Sequence, residues 1–512
     1  MSFEMSRKKK LMFTSISSLV NQIITIISGL ILPKLYLSFY GSEVNGLVSS
    51  ITAFLGFISF AELGVGAVVQ STLYKPLAEK DNDQVSRIVI SSERFFHKVG
   101  VALVLYICVL IVVYPRIVNN TFDFWFTASL ILVISISLFA QYFISMTYKL
   151  LLNADQMGYI QTSLHIMALV ISTASCVVLV KTGATIQTVR LISSLIFLIQ
   201  PIGLLLYVKK NYRLNKKLVL TQEPIKQKWN GLTQHISAVV LDKTDVVVLT
   251  MFSTLISVSI YHIYYMVVSG VQNIMTSLTS GFQAMLGNMY AKNEKRTLNN
   301  EYSFFEWGVH SFTVFLYSCV YILIIPFVLV YTKGIADANY DIPIFAMLIT
   351  SAFAFMCIRI PYQTMTKAAG HYKQTQNSAL IEVAINIVLS VVLVFNYDLL
   401  GVAIGTLAAM IYRTIYFAVY LSKHILNRPM HFFIKHLAVD ILAISIALLC
   451  CSFLNLQKLT FFAWVKMAAL VVAIVLVVDI AINMLFYREE VMRCISFIKE
   501  QVVGKKVSNL MR

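Results

Sequence analysis

The sequence predicts an all-α polytopic membrane protein with fourteen transmembrane helices. Three observations predict it. Of 512 residues, 58% are hydrophobic and only 13% are charged, against roughly 25% charged in a soluble domain. Apolar runs of about 20 residues, long enough to cross a bilayer, recur along the whole chain. Basic residues gather between those runs, on alternate sides of them. A mean hydropathy of +0.77 argues against one very large soluble core. The net charge of +17 sits in loops between apolar runs, which is a membrane pattern and excludes the nucleic-acid partner it would otherwise imply.

The first span covers 12–33. The basic head MSFEMSRKKK precedes it as in a signal peptide, but no small-residue cleavage site closes the run, so it reads as an uncleaved helix. Spans two to six cover 45–73, 95–114, 124–151, 158–180 and 184–208. Spans seven to twelve cover 232–252, 258–288, 302–331, 343–367, 375–396 and 399–422, with only FSTLIS parting the seventh from the eighth. Spans thirteen and fourteen cover 434–454 and 460–487. Four segments result. They are an N-terminal six-helix lobe at 1–208, a basic cytoplasmic linker at 209–231, a C-terminal six-helix lobe at 232–425, and two extra helices with a cytoplasmic tail at 426–512.

Charge placement supports this division. With the N-terminus inside, inner loops and tails hold 31 of the 41 Lys and Arg, and outer loops hold five: Lys34, Arg116, Lys181, Lys333 and Lys458. Such asymmetry places both termini in the cytoplasm. The outer loops are too short to hold a catalytic domain. The seven cysteines show neither metal-ligand spacing nor a disulfide framework. GVGAVV at Gly64 lies inside a span and is not a nucleotide loop. No catalytic residue, metal ligand or cofactor is expected, and the chain does not read as an enzyme.

Two weak echoes relate the halves. LYKPLAEKDNDQVS follows the second span and NMYAKNEKRTLNNE the eighth; MTYKLLLNADQMGY follows the fourth and MTKAAGHYKQ the tenth. Their offsets are nearly equal, which points to two six-helix bundles of parallel orientation. Duplicated bundles with a central site are a recurring transporter architecture.

Polar residues recur at helical spacing on the equivalent spans of each half. The first carries Thr14, Ser18, Asn21, Thr25 and Ser28; the second Asn45, Ser49, Thr52, Gly56, Ser59, Glu62 and Gly66. The seventh carries His235, Asp242 and Asp245; the eighth His262, Tyr265, Ser269, Gln272, Thr276, Ser280 and Gln283. Small and hydroxyl residues also serve close helix packing. Asn21, Gln272, Gln283 and Glu62 favour a wet cavity between the bundles, since intramembrane amides and acids face water or each other.

Charges inside spans mark the candidate site. In LDKTDVVVL, Asp242 and Asp245 share a helix face, with Lys243 about 100° away. These acids are either proton or sodium coupling sites or parts of ion pairs. Arg359 and Arg413 offer a planar cationic fork suited to phosphate, and the alternative is pairing with Glu382. Asp440, Lys466 and Asp479, on the two extra helices, could pair together, and no transport role is assigned to them. His165 and His310 read as packing or interface residues.

The stretch FYGSEVNGLVSSITAFLGFISFAELGVGAVVQSTLYKPLAEKD, Phe39–Asp81, resembles the second-helix region of polysaccharide repeat-unit flippases, with their YG…GL entry and ELG…G segment. LDKTDVVVLTMFSTLISVSIYHIYYMV, Leu241–Val267, resembles the seventh helix of the same family, where an Asp precedes an aliphatic run and a Tyr follows a short turn. Asp245 and Tyr261 match those positions; the family's glycine before the Tyr is replaced by the Ser259–Ile260 region. The resemblance spans essentially the whole chain. It implies a member of the multidrug, oligosaccharidyl-lipid and polysaccharide exporter superfamily, with two six-helix lobes in a V. It implies alternating access that moves an undecaprenyl-pyrophosphate oligosaccharide from the inner to the outer leaflet of the bacterial cytoplasmic membrane. It further implies a lipid-tail groove at helices thirteen and fourteen.

On that reading Arg359, Arg413 and Lys243 take the pyrophosphate, and Asn21, Gln272 and Gln283 take sugar hydroxyls. Asp242, Asp245 and Glu62 couple transport to H+ or Na+ or gate it. A polymerase and glycosyltransferases of the same pathway are the expected partners besides the bilayer. An ion-coupled multidrug or organic-cation exporter of the same fold is the alternative. A membrane glycosyltransferase or O-antigen polymerase fits less well, because it needs a large outer loop.

Overall fold

The computed structural model describes residues 7–118, 121–215, 218, 232–456, 458–496 and 499. Among them the structure is helical, without strands. The chain divides into two compact units, Met1–His262 with Gly334–Ala338, and Ile263–Lys333 with Asn339–Arg512. Most of the basic linker expected at 209–231, namely 216–217 and 219–231, lies outside the described residues.

The first unit contains α1 (Arg7–Gly56), a short 3-10 turn (Phe57–Ser59), α2 (Phe60–Glu79), α3 (Asn82–Ile117) and α4 (Phe124–Ala140). A wide π turn (Gln141–Ser145) leads into α5 (Met146–Ala154), followed by α6 (Gly158–Lys181), α7 (Ile186–Ile196), α8 (Ile199–Asn211) and α9 (Leu232–Phe252). The long run of α1 is broken at Gly41, whose φ of 85° belongs to the left-handed region that glycine adopts without a Cβ penalty. The helix restarts at Ser42. Asp337 serves that new N-terminus, accepting from the Ser42 backbone N–H at 2.7 Å and from its hydroxyl at 2.8 Å. A carboxylate there satisfies an orphan donor and meets the positive end of the helix dipole.

At the other end of α1, Lys10 bonds the Asp155 carboxylate at 3.3 Å, and the Tyr212 hydroxyl donates to the same carboxylate at 2.5 Å. Burial and this acceptor push the Tyr212 hydroxyl well above its ordinary range, so it stays a donor. The unit's core is aliphatic, with Leu47, Val69, Leu73, Leu103 and Leu151 fully enclosed.

The chain crosses into the second unit along α10 (Leu255–Thr279), then forms α11 (Phe282–Ala291), α12 (Lys295–Tyr331), α13 (Pro343–Ile358) and α14 (Ile360–Ala368). The remaining helices are α15 (Gln376–Tyr397), α16 (Leu399–His424), α17 (His431–Cys451) and α18 (Phe461–Phe486). Pro361 lacks a backbone N–H, and the α13–α14 run breaks just before it, at Arg359. α15 and α16 lie in close contact because Gly405 is small: a Cβ there would collide with the Ser390 side chain and backbone.

Twelve helical runs among the described residues are long and apolar enough to cross a membrane. Many expose large apolar side chains, such as Leu105, Phe462 and Leu485 at 64%, 71% and 75%. A soluble protein hides such faces; lipid covers them. The chain is an all-α, multi-pass integral membrane protein. The difference from fourteen has two sources. The first two expected spans adjoin without a loop in the run Met12–Ser59, of 48 residues, which Gly41 divides into two helices. The seventh, α9, carries Asp242, Lys243 and Asp245 and is too charged to qualify on composition.

Candidate functional site

The second unit concentrates basic side chains where α13, α14, α15 and α16 meet. Arg359 stands at the α13–α14 break, Glu382 on α15 and Arg413 on α16. They are 6%, 3% and 4% exposed. Arg359 Nη1 bonds Glu382 Oε1 at 2.5 Å, and Arg413 Nε lies 3.5 Å from Glu382 Oε2. The close packing at Gly405 sets this register, because Arg413 lies two turns further along α16, level with Glu382 on antiparallel α15.

Arg413 also donates to the Ser378 hydroxyl and to the Thr375 carbonyl, the latter at 3.4 Å. Lys367, half-buried on α14, is in electrostatic reach of both arginines. The pairing with Glu382 is therefore real, yet it leaves three basic groups facing one acid. Arg359 Nε is buried without a hydrogen-bond partner. Surplus positive charge at low dielectric is costly until an anion arrives.

Aromatic rings flank this charge. Tyr412, Tyr416 and Tyr420 repeat every four residues along α16 and form a ladder with centroid spacings of 6.3 and 6.0 Å, the second pair stacked at 16°. Tyr412 and Tyr416 are electrostatic neighbours of Arg413. The Tyr420 hydroxyl meets His371 Nδ1 at 2.9 Å. Gln283 on α11 donates to the Tyr372 hydroxyl at 3.3 Å. Half-exposed tyrosines offer apolar faces to sugar C–H surfaces and hydroxyls to sugar oxygens.

In the first unit, α9 separates its three charges. Asp245 is 2% exposed and accepts from the Tyr261 hydroxyl at 2.8 Å. Asp242 is instead largely open, its side chain 44% exposed, and pairs with its neighbour Lys243 at 2.6 Å. The two acids expected to share a face thus sit in unlike surroundings: Asp245 is buried against Tyr261 of α10, and Asp242 is exposed beside Lys243. Lys243 packs beside Gly56 of α1 and pairs with Asp242. Around Asp245 the helices are tied by polar pairs: Asn45 Nδ2 to Ser259 Oγ at 2.8 Å and Ser50 Oγ to Thr250 Oγ1 at 2.6 Å.

The other expected residues are dispersed. Asn21 bonds His165 at 2.8 Å and borders a cavity of about 420 Å3 enclosed with α4 to α8, whose walls include Lys149, Gln141, Gln161 and Gln200. Gln272 is half-buried on α10. Glu62 falls on α2 and His235 on α9, but their side chains lie outside the described residues. His310 is no mere packing group, and Asp440, Lys466 and Asp479 do not pair: Asp440 bonds His310 at 2.6 Å, Asp479 accepts from Ser311 at 3.1 Å, and Lys466 lies over the Phe462 ring at 4.4 Å. Lys466 is exposed, on the far side of α18 from Asp479, so helix phase keeps it away.

No protein-family model matches the chain, and no curated protein sequence matches it. Solved structures do. A lipid II flippase MurJ in an inward closed conformation superposes with a TM-score of 0.70 at 16% identity, covering 94% of this chain and 100% of that one. An inward-facing multidrug resistance MATE family transporter of the MOP superfamily gives 0.63 at 14% identity, covering 78% and 95%. A MATE in the bent conformation gives 0.51 at 14% identity, covering 81% and 96%. The chain shares the fold of these solved structures. At these identities the likeness is one of fold, and fold does not carry substrate.

Within that fold, the basic cluster and the tyrosine ladder are the most distinctive chemistry of the second unit. The ladder is visible in YRTIYFAVY as Tyr at four-residue spacing, and Lys367 is the last residue of the tenth expected span.

Proposed function

We propose that this protein is a flippase that moves undecaprenyl-pyrophosphate-linked oligosaccharide repeat units from the inner to the outer leaflet of the bacterial cytoplasmic membrane, for polysaccharide biosynthesis. The observation that carries the reading is the surplus of basic groups, Arg359, Arg413 and Lys367 around Glu382, beside the tyrosine ladder of α16. A diphosphate is the anion that arginine forks bind best, and aromatic rings suit the sugars attached to it. An exporter of organic cations needs the opposite charge at its site.

Transport proceeds by alternating access between two six-helix lobes, with fourteen spans and both termini cytoplasmic. Helices thirteen and fourteen, α17 and α18, guide the lipid tail. Asp245, buried against Tyr261, is the foremost coupling acid for H+ or Na+, with Asp242 and Glu62 as further candidates. Gln272 and Gln283 in the second unit and Asn21 in the first offer amides to sugar hydroxyls, and Lys243 neutralises Asp242. The substrate is supplied by glycosyltransferases and passed to a polymerase.

The test is transport of a fluorescent undecaprenyl-pyrophosphate oligosaccharide in proteoliposomes, with surface polysaccharide in cells as a second readout. Arg359→Ala and Arg413→Ala each abolish both while protein level holds. Normal transport in both variants removes the pyrophosphate clamp. Export of organic cations with no lipid flipping establishes the drug-exporter alternative instead.

A further inference from the structure

The second unit buries another charged cluster, where α12, α14, α17 and α18 meet. His310 on α12 is 1% exposed. Its Nδ1 lies 2.6 Å from Asp440 Oδ2 on α17, and its Nε2 lies 2.9 Å from the Tyr362 hydroxyl on α14. His436 on α17 stacks on the His310 ring at 4.8 Å, and Tyr487 stacks on His436 at 4.8 Å with the planes 6° apart. Asp479 on α18 accepts from Ser311 Oγ and Asn483 Nδ2, both at 3.1 Å. The Trp307 indole N–H donates to Asn483 Oδ1 at 2.7 Å.

The charges facing this pair do not balance without bound protons. Glu306 on α12 is fully buried and grips Arg428, from the α16–α17 connection, through both oxygens; the two cancel. Burial opposes the Arg428 charge, but Glu306 outweighs it and holds the guanidinium above its ordinary range. His436 Nε2 stands 3.8 Å from Glu306 Oε2. Tyr302 is buried beneath Arg428, which lies 4.9 Å above its ring. Lys435 is exposed and turned to the Phe486 carbonyl and the Tyr487 ring. Two buried carboxylates, Asp440 and Asp479, remain, and among the described residues His310 and His436 stand beside them to offset the charge. Uncompensated charge there costs several kcal/mol, so the cluster must hold protons. His436 Nδ1 is buried without a partner, a further open position for one.

The geometry makes proton gain a two-state event. With one proton on the imidazole, Nδ1–H donates to Asp440 and Nε2 accepts from the Tyr362 hydroxyl. A second proton, taken from solvent, makes Nε2 a donor, so the Tyr362 hydroxyl accepts from it and turns its own proton to the Glu306 carboxylate, its other hydrogen-bond partner. Tyr362 lies one turn beyond Arg359, and its helix α14 also carries Lys367.

We propose that the His310–Asp440 pair is a proton-binding site whose occupancy, passed through Tyr362 and α14, sets how tightly Arg359, Arg413 and Lys367 hold a pyrophosphate anion. The ligand in this statement rests on the flippase reading; the proton site does not. Protonation adds positive charge, so anion binding tightens as pH falls, and by linkage the anion draws in a proton.

The experiment uses the full-length protein in lipid nanodiscs and inorganic pyrophosphate as probe, from about pH 5.5 to about pH 8.5, where histidines change charge. Asp440→Asn and Tyr362→Phe are measured beside wild type in the same buffers, so the probe's own titration cancels in the affinity ratio. That ratio changes about fivefold or more across the range in favour of wild type at low pH. Trp307 emission, taken as the difference from Trp307→Phe, shifts with one midpoint in wild type and in Tyr362→Phe but not in Asp440→Asn or His310→Gln.

A flat Trp307 signal in wild type overturns the proton site. A normal midpoint with a pH-independent affinity ratio overturns the coupling. Failure of pyrophosphate to bind at any pH overturns the anion clamp of the flippase reading and the coupling with it, while the Trp307 midpoint still decides the proton site. Tyr362→Phe removes one hydroxyl and no charge, and carries the coupling test should Asp440→Asn fail to fold.

Discussion

Two regions of the molecule place charges inside membrane helices and solve the cost differently. On α9, three charges fall within four residues; Asp242 and Lys243 neutralise each other and stay partly open, and only Asp245 is buried. Around α13 to α16, each charge comes from a different helix, and all three of Arg359, Glu382 and Arg413 are buried. A charge with a neighbour in sequence keeps a partner whatever the fold does. A charge whose partner lies on another helix is committed to one packing, and its removal strands that partner.

The difference is broken or sharpened by substitution. The largest effect is expected at Glu382→Gln, which leaves two guanidiniums buried without their acid. It destabilises by about 3–5 kcal/mol, read as a lower unfolding midpoint of the purified protein. An unchanged midpoint there collapses the contrast with α9. Arg413→Lys keeps the charge but loses the fork, and weakens pyrophosphate binding by about 2 kcal/mol, roughly thirtyfold in Kd.

Tyr261→Phe removes the hydroxyl from a buried carboxylate and costs about 1–3 kcal/mol of stability; the paired Asp245→Asn also alters the pH or sodium dependence of transport. An ion response identical to wild type in Asp245→Asn leaves that residue a structural acid. Tyr416→Ala weakens oligosaccharide transport by about 1 kcal/mol, and Tyr416→Phe largely restores it, since the ring face and not the hydroxyl is at work. Asp242→Asn is the smallest change, below about 1 kcal/mol by thermal unfolding, because its ion pair is half in the open.

Much of the site was legible residue by residue. Arg359, Arg413, Glu382, Asp245 and Asp242 stand out because a charge in an apolar run is conspicuous. The Asp245–Tyr261 hydrogen bond was foreshadowed by the resemblance that matched both positions. The break at Gly41 was not legible. A loop was expected between the first two spans, whereas a single left-handed residue parts two helices, the second capped by Asp337, 295 residues away. His310 looked inert because no acid lies near it in sequence; its partners come from α14 and α17.

The sequence by itself determined that this is an all-α membrane protein, where its apolar runs lie, and which residues are costly there. Those properties depend on composition and on the single-helix period, which the chain carries locally. Only the tertiary structure decided which charges meet: that Glu382 sits between two arginines, that Asp242 and Asp245 part company, and that His310 joins Asp440 rather than plain packing. Helix phase and the approach of one helix to another set those pairings, and at Gly405 the absence of a single methyl group decides how close α15 and α16 come.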